Sequence, residues 1–333
     1  MKYKLNDFDY HLPENLIAQK PVVPRDHSRL LIYNRADDSI TDDHFYNIGN
    51  YLPPGTSLVV NNSKVEKCRL LFNKGKVEIF VTKAVDNRVV EAMVRPGKKF
   101  KSGKKIRLSE HLSAETLSVA EDGIRTIRLS HSLDDPFVEP FKHTPFPPYI
   151  ERDESLSERY QTVFAKDLGS KAAPTAGLHF TPGLLQSLKE QGVEKKEVTL
   201  HVGLGTFAPV KAEKIEEHVM HSEWYQISQQ QAEDLNRAER ITAVGTTSVR
   251  VLESAPKKEG QFTACTGETD IFITPGYSFS SVDHLITNFH LPKSTLLMLI
   301  SAFAGYEETM RMYEHAINEK YRFYSFGDAM LIL

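Results

Sequence analysis

The spacing of apolar positions changes character twice along the chain. Up to residue 63 the runs are short. LPENLIAQ reads as a short helix with Pro13 at its first position, where a missing N–H does no harm. RLLIYN and ITDDHF, separated by RADDS, read as a hairpin. After the PPG stop, SLVVNN reads as a buried strand ending in Asn61 and Asn62. From about Lys64 to His143 six β-branched or alternating runs follow: CRLLF, KVEIFVTKA, RVVEAMVR, KKIRLS, ETLSVA and IRTIRLS. Turn signals such as NKG, PGKK, KSG and EDG separate them, with hardly a helical pattern between. Short strands at this even spacing predict a small antiparallel β-barrel. The proline-dense DDPFVEPFKHTPFPPYI then reads as the return linker.

The remainder alternates between the two periods. Thr181 caps a predicted helix with Pro182 at its first position, LLQSLKE as its body and Gly192 as its stop. KEVTLHV reads as a strand, and Ser228 with Gln231 forms a capping-box pattern before QQQAEDLNRAER. ITAVG, DIFITPG, HLITNFH and DAMLIL read as strands; TSVRVLESA, STLLMLISAFAG and YEETMRMYEHAINEKY read as helices. Strands alternating with helices imply a layered α/β sheet. The expected organisation is an α/β domain built from both ends of the chain, residues 1–63 and 146–333. The β-barrel, residues 64–145, is inserted between them.

Composition narrows the class. The chain has 333 residues, 40% of them hydrophobic and 26% charged, as expected of a soluble globular protein. A net charge of −3 argues against a strongly basic nucleic-acid coat but leaves room for a local basic patch. Cys68 and Cys265 make neither a disulfide framework nor a CxxC site, so a reducing, cytoplasmic setting is expected. No uninterrupted apolar core of a signal peptide opens the chain, and the longest apolar run, Leu296 to Ala304, is too short to span a bilayer.

The chemistry concentrates between Ala172 and Glu223, in AAPTAGLHFTP, VTLHVGLGTFAPV and HVMHSE. His179, His201, His218 and His221 stand there among glycines and threonines, close to Glu223. Histidine exchanges protons near neutral pH, and glycine lets a backbone approach a ligand. Together they suggest a pocket where protons move, although any one histidine could equally satisfy a local hydrogen bond. Gly203, Gly205 and Ala208 fit a dinucleotide fingerprint, but Pro209 follows at once, where that motif needs a helix to open. Close backbone approach to a smaller ligand is the better reading. His218, His221 and Glu223 have some metal-ligand character without the arrangement a zinc site requires, so proton transfer or substrate hydrogen bonding is favoured over metal binding.

Two further stretches are open to two readings each. In AVGTTSVRVLES, Thr246, Thr247 and Ser248 stand at a helix start, where free N–H groups favour an anion. They would serve equally as an ordinary N-cap, and Arg250 one turn on could reach the same anion or pair locally. In RPGKKFKSGKKIR, the cations Lys98, Lys99, Lys101, Lys104, Lys105 and Arg107 could track a phosphate backbone or merely solubilise an edge. Asn288 and His290 end a strand in TNFHLP, and YRFYSFGDAM clusters aromatics with Asp328.

These motifs carry a resemblance that runs nearly end to end. VVNNSKV, PPYIER, RYQTVFA, AAPTAGLHFTP, VTLHVGLGTFAPV, HVMHSE, AVGTTSVRVLES, IFITPG, TNFHLPKSTLLMLISAFAG and YRFYSFGDAMLI stand in the order they have in S-adenosylmethionine:tRNA ribosyltransferase-isomerases of the queuosine pathway. The chain resembles that family. It departs at Lys64, Lys67 and Cys68, where the family tends to have arginine, proline and alanine. The resemblance implies transfer and isomerisation of the ribosyl group of S-adenosylmethionine onto 7-aminomethyl-7-deazaguanine at the wobble position of tRNA. Epoxyqueuosine, adenine and methionine would result. S-adenosylmethionine is then a co-substrate, no cofactor is expected, and the expected state is a monomer. His179, His201, His218 and His221 are the candidate acids and bases, with Glu223 orienting one of them. Candidate substrate contacts are Asn61, Asn62, Thr175, Gly177, Gly203, Gly205, Thr206, Thr246, Thr247, Ser248, Arg250, Asn288, His290 and Asp328. The rival classes are a methyltransferase using the same co-substrate and a non-catalytic RNA-binding protein.

Overall fold

A computed structural model describes residues 3–203, 212 and 214–333. The first strands are β1 Arg29–Asn34, β2 Ser39–His44, β3 Thr56–Asn61 and β4 Ser63–Val65. Next come β5 Arg69–Phe72, β6 Val77–Ala84, β7 Val89–Arg95, β8 Lys105–Arg107, β9 Ser113–Val119, β10 Arg125–Leu129 and β11 Lys142–His143. After β12 Asp167–Ser170 and β13 Glu194–Leu200 come β14 Glu223–Ile227, β15 Arg240–Val244, β16 Lys257–Lys258 and β17 Gln261–Phe262. The last are β18 Cys265–Thr269, β19 His284–Asn288 and β20 Ala329–Ile332. The helices are α1 Pro182–Glu190, α2 Gln229–Asn236, α3 Thr246–Ser254, α4 Thr295–Ala304 and α5 Tyr306–Asn318.

The chain divides into two compact units. The larger holds the described residues among 1–64, 147–151 and 158–333, the smaller those of 65–146 and 152–157. A nine-stranded mixed sheet in the order β18-β14-β13-β3-β15-β19-β20-β1-β2 forms the larger unit, so strands from before and after the smaller unit share one sheet. β13, β3, β15 and β19 run parallel, and β20 returns antiparallel beside β19. β3 and β20 are buried at every position, as strands covered on both faces must be. Successive residues feed opposite cores. Val59, Ala243, Leu285 and Met330 pack with residues of α2 to α5. Leu58, Val60, Val244, Ile286 and Leu331 pack with α1 and with Phe45 and Phe180.

Local chemistry sets most element ends. Thr181 Oγ1 accepts from the Leu184 N–H (3.0 Å) and Pro182 opens α1, while Ser228 and Gln231 close the capping box of α2. Two expectations fail. LPENLIAQ makes only a 3-10 turn, Glu14–Leu16, with Pro13 before it, because three residues are too few to propagate a helix. DIFITPG is not a strand. Pro275 lacks a donor and Gly276 sits at φ +102, so Ile273 is buried without joining the sheet. The edge is instead made by β18, CTGET, which pairs with β14.

In the smaller unit all six expected strands form, with β11 in addition, in the antiparallel order β11-β5-β6-β7-β10-β9-β8. Alternation buries Leu70, Phe72, Ile79, Val81, Val90, Ala92 and Ile127. Among the described residues β8 and β11 are free edges, so the sheet is a curled half-barrel rather than a closed barrel. Of the departing positions, Cys68 is buried, which pushes its thiol up to about 12, while Lys64 and Lys67 are exposed.

Candidate active site

Parallel pairing brings the last residues of β15 and β19 to one edge of the large sheet, and antiparallel β20 brings the residues before Ala329 to the same edge. A cavity opens there. Its wall comprises Ala173 to Ala176, Val202, Gly245 to Thr247, Thr287 to Leu291, Ser294, Leu296, Tyr149, Tyr324 and Ser325. Thus Thr175, Thr246, Thr247, Asn288 and His290 come together as the sequence suggested. Thr287 and Tyr149 were not singled out, whereas Tyr324 and Ser325 belong to YRFYSFGDAM, whose aromatic cluster the sequence had brought forward. The wall carries no carboxylate, lysine or arginine among the described residues. Two tyrosines, Tyr149 and Tyr324, meet with ring centroids 4.7 Å apart, and Tyr149 OH bonds Ser325 Oγ (2.8 Å). Tyr324 holds φ +71, a left-handed conformation that turns the chain into the wall.

Thr246, Thr247 and Ser248 do not form an ordinary side-chain N-cap at the start of α3. Gly245 takes φ +88, and no side chain caps the helix. Ser248 Oγ turns back to donate to Val244 O (2.9 Å). Ser248 N and Val249 N bond Gly245 O (3.1 and 3.3 Å), which leaves the N–H groups of Thr246 and Thr247, both residues of the cavity wall, as the uncapped donors of the helix start, and Thr247 Oγ1 is enclosed with no hydrogen-bond partner among the described residues. α4 also begins at the cavity, but Ser294 Oγ caps it by accepting from the Leu297 N–H (3.2 Å).

Asn288, 2% exposed, is held from behind. Its Nδ2 donates to Tyr324 O (3.2 Å) and Asp328 O (3.4 Å), which fixes the amide orientation. His179 Nε2, 3.1 Å from the same Nδ2, must then accept, so Nδ1 carries the hydrogen and donates to Ser28 Oγ (2.7 Å). Burial pushes His179 down to about 3, with Arg159, Arg322 and Arg25 adding repulsion. Both ring nitrogens are engaged, and the ring is not part of the cavity wall. His179 is placed as a neutral strut and not as an acid or base. Asn288 Oδ1 is enclosed with no partner among the described residues, a state that costs about 1–3 kcal/mol until a donor arrives.

Several expected contacts are structural. Asn61 Oδ1 accepts from Leu200 N (3.0 Å) and Ser63 N (3.1 Å) while its Nδ2 donates to Leu200 O (2.9 Å), tying β3 to β13. Asn62 Oδ1 accepts from Thr199 Oγ1 (2.8 Å). A Cβ on Gly177 would stand 2.7 Å from Phe164 Cζ, so this glycine serves packing. Asp328 is buried and accepts from Arg322 N (2.8 Å), Arg322 Nη2 (3.1 Å) and Arg29 N (3.1 Å). Arg250 and Glu223 form a buried ion pair, with Gly203 N donating to Glu223 (2.8 Å) and Arg250 Nη2 to Thr269 O (3.1 Å). The described partners of Glu223 thus hold β14 to α3, and Arg250 answers an internal anion. Gly205 and Thr206 lie outside the described residues.

The other histidines keep nitrogens available. His201, at the end of β13 beside Val202 of the cavity wall, lies over Gly169 and against Trp224 (centroids 4.7 Å). Its Nε2 is enclosed with no partner among the described residues, and burial lowers its pKa. Lys171, whose ammonium burial lowers to about 8, adds repulsion. His290 lines the cavity, its Nε2 bonded to Thr287 Oγ1 (2.8 Å) and its pKa lowered by burial. His218 follows a 3-10 turn and meets Phe272 edge-on, depressed by burial and by His221, which is exposed. Among the described residues no three His, Cys, Asp and Glu side chains are grouped to hold a metal, and no helix is long and apolar enough to cross a membrane. In the smaller unit Lys98, Lys99, Lys101, Lys104 and Lys105 are exposed, and Arg107 bonds Ser109 O (3.0 Å) and Glu110 O (3.2 Å).

Open α/β sheets bind ligands beyond the carboxyl ends of their parallel strands. The fold and this cavity accordingly define an α/β protein whose candidate site lies at the carboxyl edge of its parallel strands. The family model for "Queuosine biosynthesis protein" matches residues 5–332. S-adenosylmethionine:tRNA ribosyltransferase-isomerase of Carboxydothermus hydrogenoformans is 50% identical over 99% of this chain and 100% of its own. The Thermotoga maritima enzyme of the same name is 48% identical over the same shares. A crystal structure of S-adenosylmethionine tRNA ribosyltransferase from Thermotoga maritima covers 98% of the chain and 100% of its own at 40% identity, with a TM-score of 0.56. The chain belongs to the S-adenosylmethionine:tRNA ribosyltransferase-isomerases of queuosine biosynthesis.

Proposed function

We propose that the protein transfers and isomerises the ribosyl moiety of S-adenosylmethionine onto 7-aminomethyl-7-deazaguanine at the wobble position of tRNA. The products are epoxyqueuosine, adenine and methionine. Family membership supports the reaction class. The cavity, uncharged among the described residues, with one helix N-terminus that no side chain caps and two tyrosines in contact, is the observation that carries the co-substrate reading. A sulfonium is attracted to aromatic faces, and its carboxylate suits free helix N–H groups.

The reaction needs a base at the ribosyl carbon next to the positive sulfur and an acid at the departing adenine. Histidines held neutral at pH 7 with a free nitrogen suit the first task, which points to His201 and His290. His218 and His221 remain the candidates for the acid. Alanine at His201 should lower kcat by about 10²–10⁴-fold while S-adenosylmethionine affinity stays within threefold. Full turnover in that variant removes it from the chemistry. The tRNA is assigned to the exposed cations Lys98, Lys99, Lys101, Lys104 and Lys105 of the smaller unit, at the level of backbone contact.

Incubating the protein with S-adenosylmethionine and tRNA bearing the aminomethyl base tests the whole reading by mass spectrometry of products and digested nucleosides. S-adenosylhomocysteine would make it a methyltransferase. Tight tRNA binding without turnover would leave only a binding protein.

A further inference from the structure

We infer that the cavity binds the methionyl end of S-adenosylmethionine as a zwitterion, with the carboxylate at the N-terminus of α3 and the ammonium on Asn288 Oδ1. His179 is the positioning residue that fixes Asn288. The inference deepens the proposed co-substrate reading and rests on it.

Two hydrogen-bonding needs of opposite sign stand unmet in one wall. The start of α3 offers N–H donors without a side-chain cap, together with the unpartnered Thr247 hydroxyl. Asn288 offers an enclosed carbonyl oxygen with no donor among the described residues. The sheet places them side by side: Val244 pairs with Ile286, and the Gly245 N–H donates to Ile286 O (2.7 Å). Asn288 lies two residues further along a strand about 4.8 Å away. A ligand that carries an anion and a hydrogen-bond donor on one carbon fits both needs, and an α-amino acid is that ligand. The neutrality of the described wall explains why an amide suffices for the ammonium: among the described residues no cation competes for the oxygen and no carboxylate repels the ligand's own.

His179 makes the acceptor a fixed one. An amide free to turn over would present its NH₂ to the cavity as readily as its oxygen. With Nε2 as acceptor, the ring joins the Tyr324 and Asp328 carbonyls in holding that NH₂ away from the ligand. Ser28 sets the ring tautomer by accepting from Nδ1.

The test titrates the full-length protein, without tRNA, with four compounds followed by calorimetry. These are S-adenosylmethionine, its decarboxylated form, its analogue lacking the amino group, and 5′-methylthioadenosine. Loss of either charged group should weaken binding at least about tenfold. Asn288→Leu should bring S-adenosylmethionine to the affinity of the des-amino compound and leave that compound's affinity unchanged. A des-amino analogue that binds within twofold of S-adenosylmethionine overturns the zwitterion site, as does a variant that weakens both equally. For the positioning role, the double variant His179→Phe with Asn288→Leu should bind no worse than Asn288→Leu alone, since His179 acts through Asn288. Additive losses overturn it. Ser28→Ala, a smaller change that releases the ring at Nδ1, reads the same coupling if His179→Phe folds poorly. Charge-dependent binding without ribosyl transfer keeps this site and removes the proposed reaction. Turnover with charge-indifferent binding does the reverse.

Discussion

His179 is neutral in the folded protein because its ring is enclosed, doubly bonded and faced by three arginines. In the unfolded chain its imidazole titrates near 6.5, whereas in the folded chain it does so near 3. Between those values the unfolded state binds a proton that the folded state does not. This group therefore leaves stability unchanged above pH 7 and weakens folding progressively as pH falls from about 6.5 towards 3. The thermal midpoint of wild type should fall more between pH 7 and pH 5 than that of His179→Phe. His290, depressed in the same direction, keeps part of the loss in the variant. Equal falls would show that the ring is protonated in the folded protein. The Arg250–Glu223 pair gives a second residue-scale outcome. Arg250→Met strands a buried carboxylate and should cost about 3–5 kcal/mol in urea denaturation, and adding Glu223→Leu should restore much of it. Sequence alone brought Arg250 forward as a substrate contact and Glu223 as the group that orients a histidine, because nothing in one dimension says that they meet each other.

Elements were legible where a local signal ends them. The Thr181–Pro182 start of α1, the capping box of α2 and the alternation of the six strands in the smaller unit are properties of a few neighbouring residues. CTGET forms a strand and DIFITPG does not because ladder pairing beats apolar content: β14 offered an edge to the threonine-rich run, while the proline and glycine barred the apolar one. Gly169 in β12 shows the reverse dependence, of a site on an element. It takes φ +142, and a Cβ there would lie 2.5 Å from His201 Cε1. Gly169→Ala should therefore displace the His201 ring and reproduce the kcat loss of His201→Ala with little change in S-adenosylmethionine affinity. Unchanged kcat would separate the ring's position from the chemistry. The exposed lysines around β8 act as a group. Reversing Lys98, Lys99, Lys101 and Lys104 to glutamate should weaken tRNA binding at least tenfold and flatten its salt dependence. Calorimetry with S-adenosylmethionine should register no change.

For the molecule as a whole, the mixing of strands and helices and the interruption by a β unit were readable from periodicity. The strand order was not. Periodicity says which face of a strand is buried but not which strand lies beside it, and here the order decides the site. β19 between parallel β15 and antiparallel β20 is what gathers Thr246, Asn288 and Tyr324 at one edge. Asn61 and Asp328, equally polar and equally near strand ends, are spent inside the fold. Tyr149 reaches the cavity wall from a proline-dense stretch whose sequence reads only as a linker. The central claim is the proposal that ribosyl transfer from S-adenosylmethionine to tRNA takes place at this cavity. The most direct measurement is mass spectrometry of the reaction with tRNA carrying 7-aminomethyl-7-deazaguanine, run on wild type and on Asn288→Leu. The account predicts adenine, methionine and an epoxyqueuosine nucleoside in stoichiometric amounts from wild type. From the variant it predicts the same products, with a KM for S-adenosylmethionine raised at least tenfold. S-adenosylhomocysteine among the products, or an unchanged KM in the variant, would contradict it.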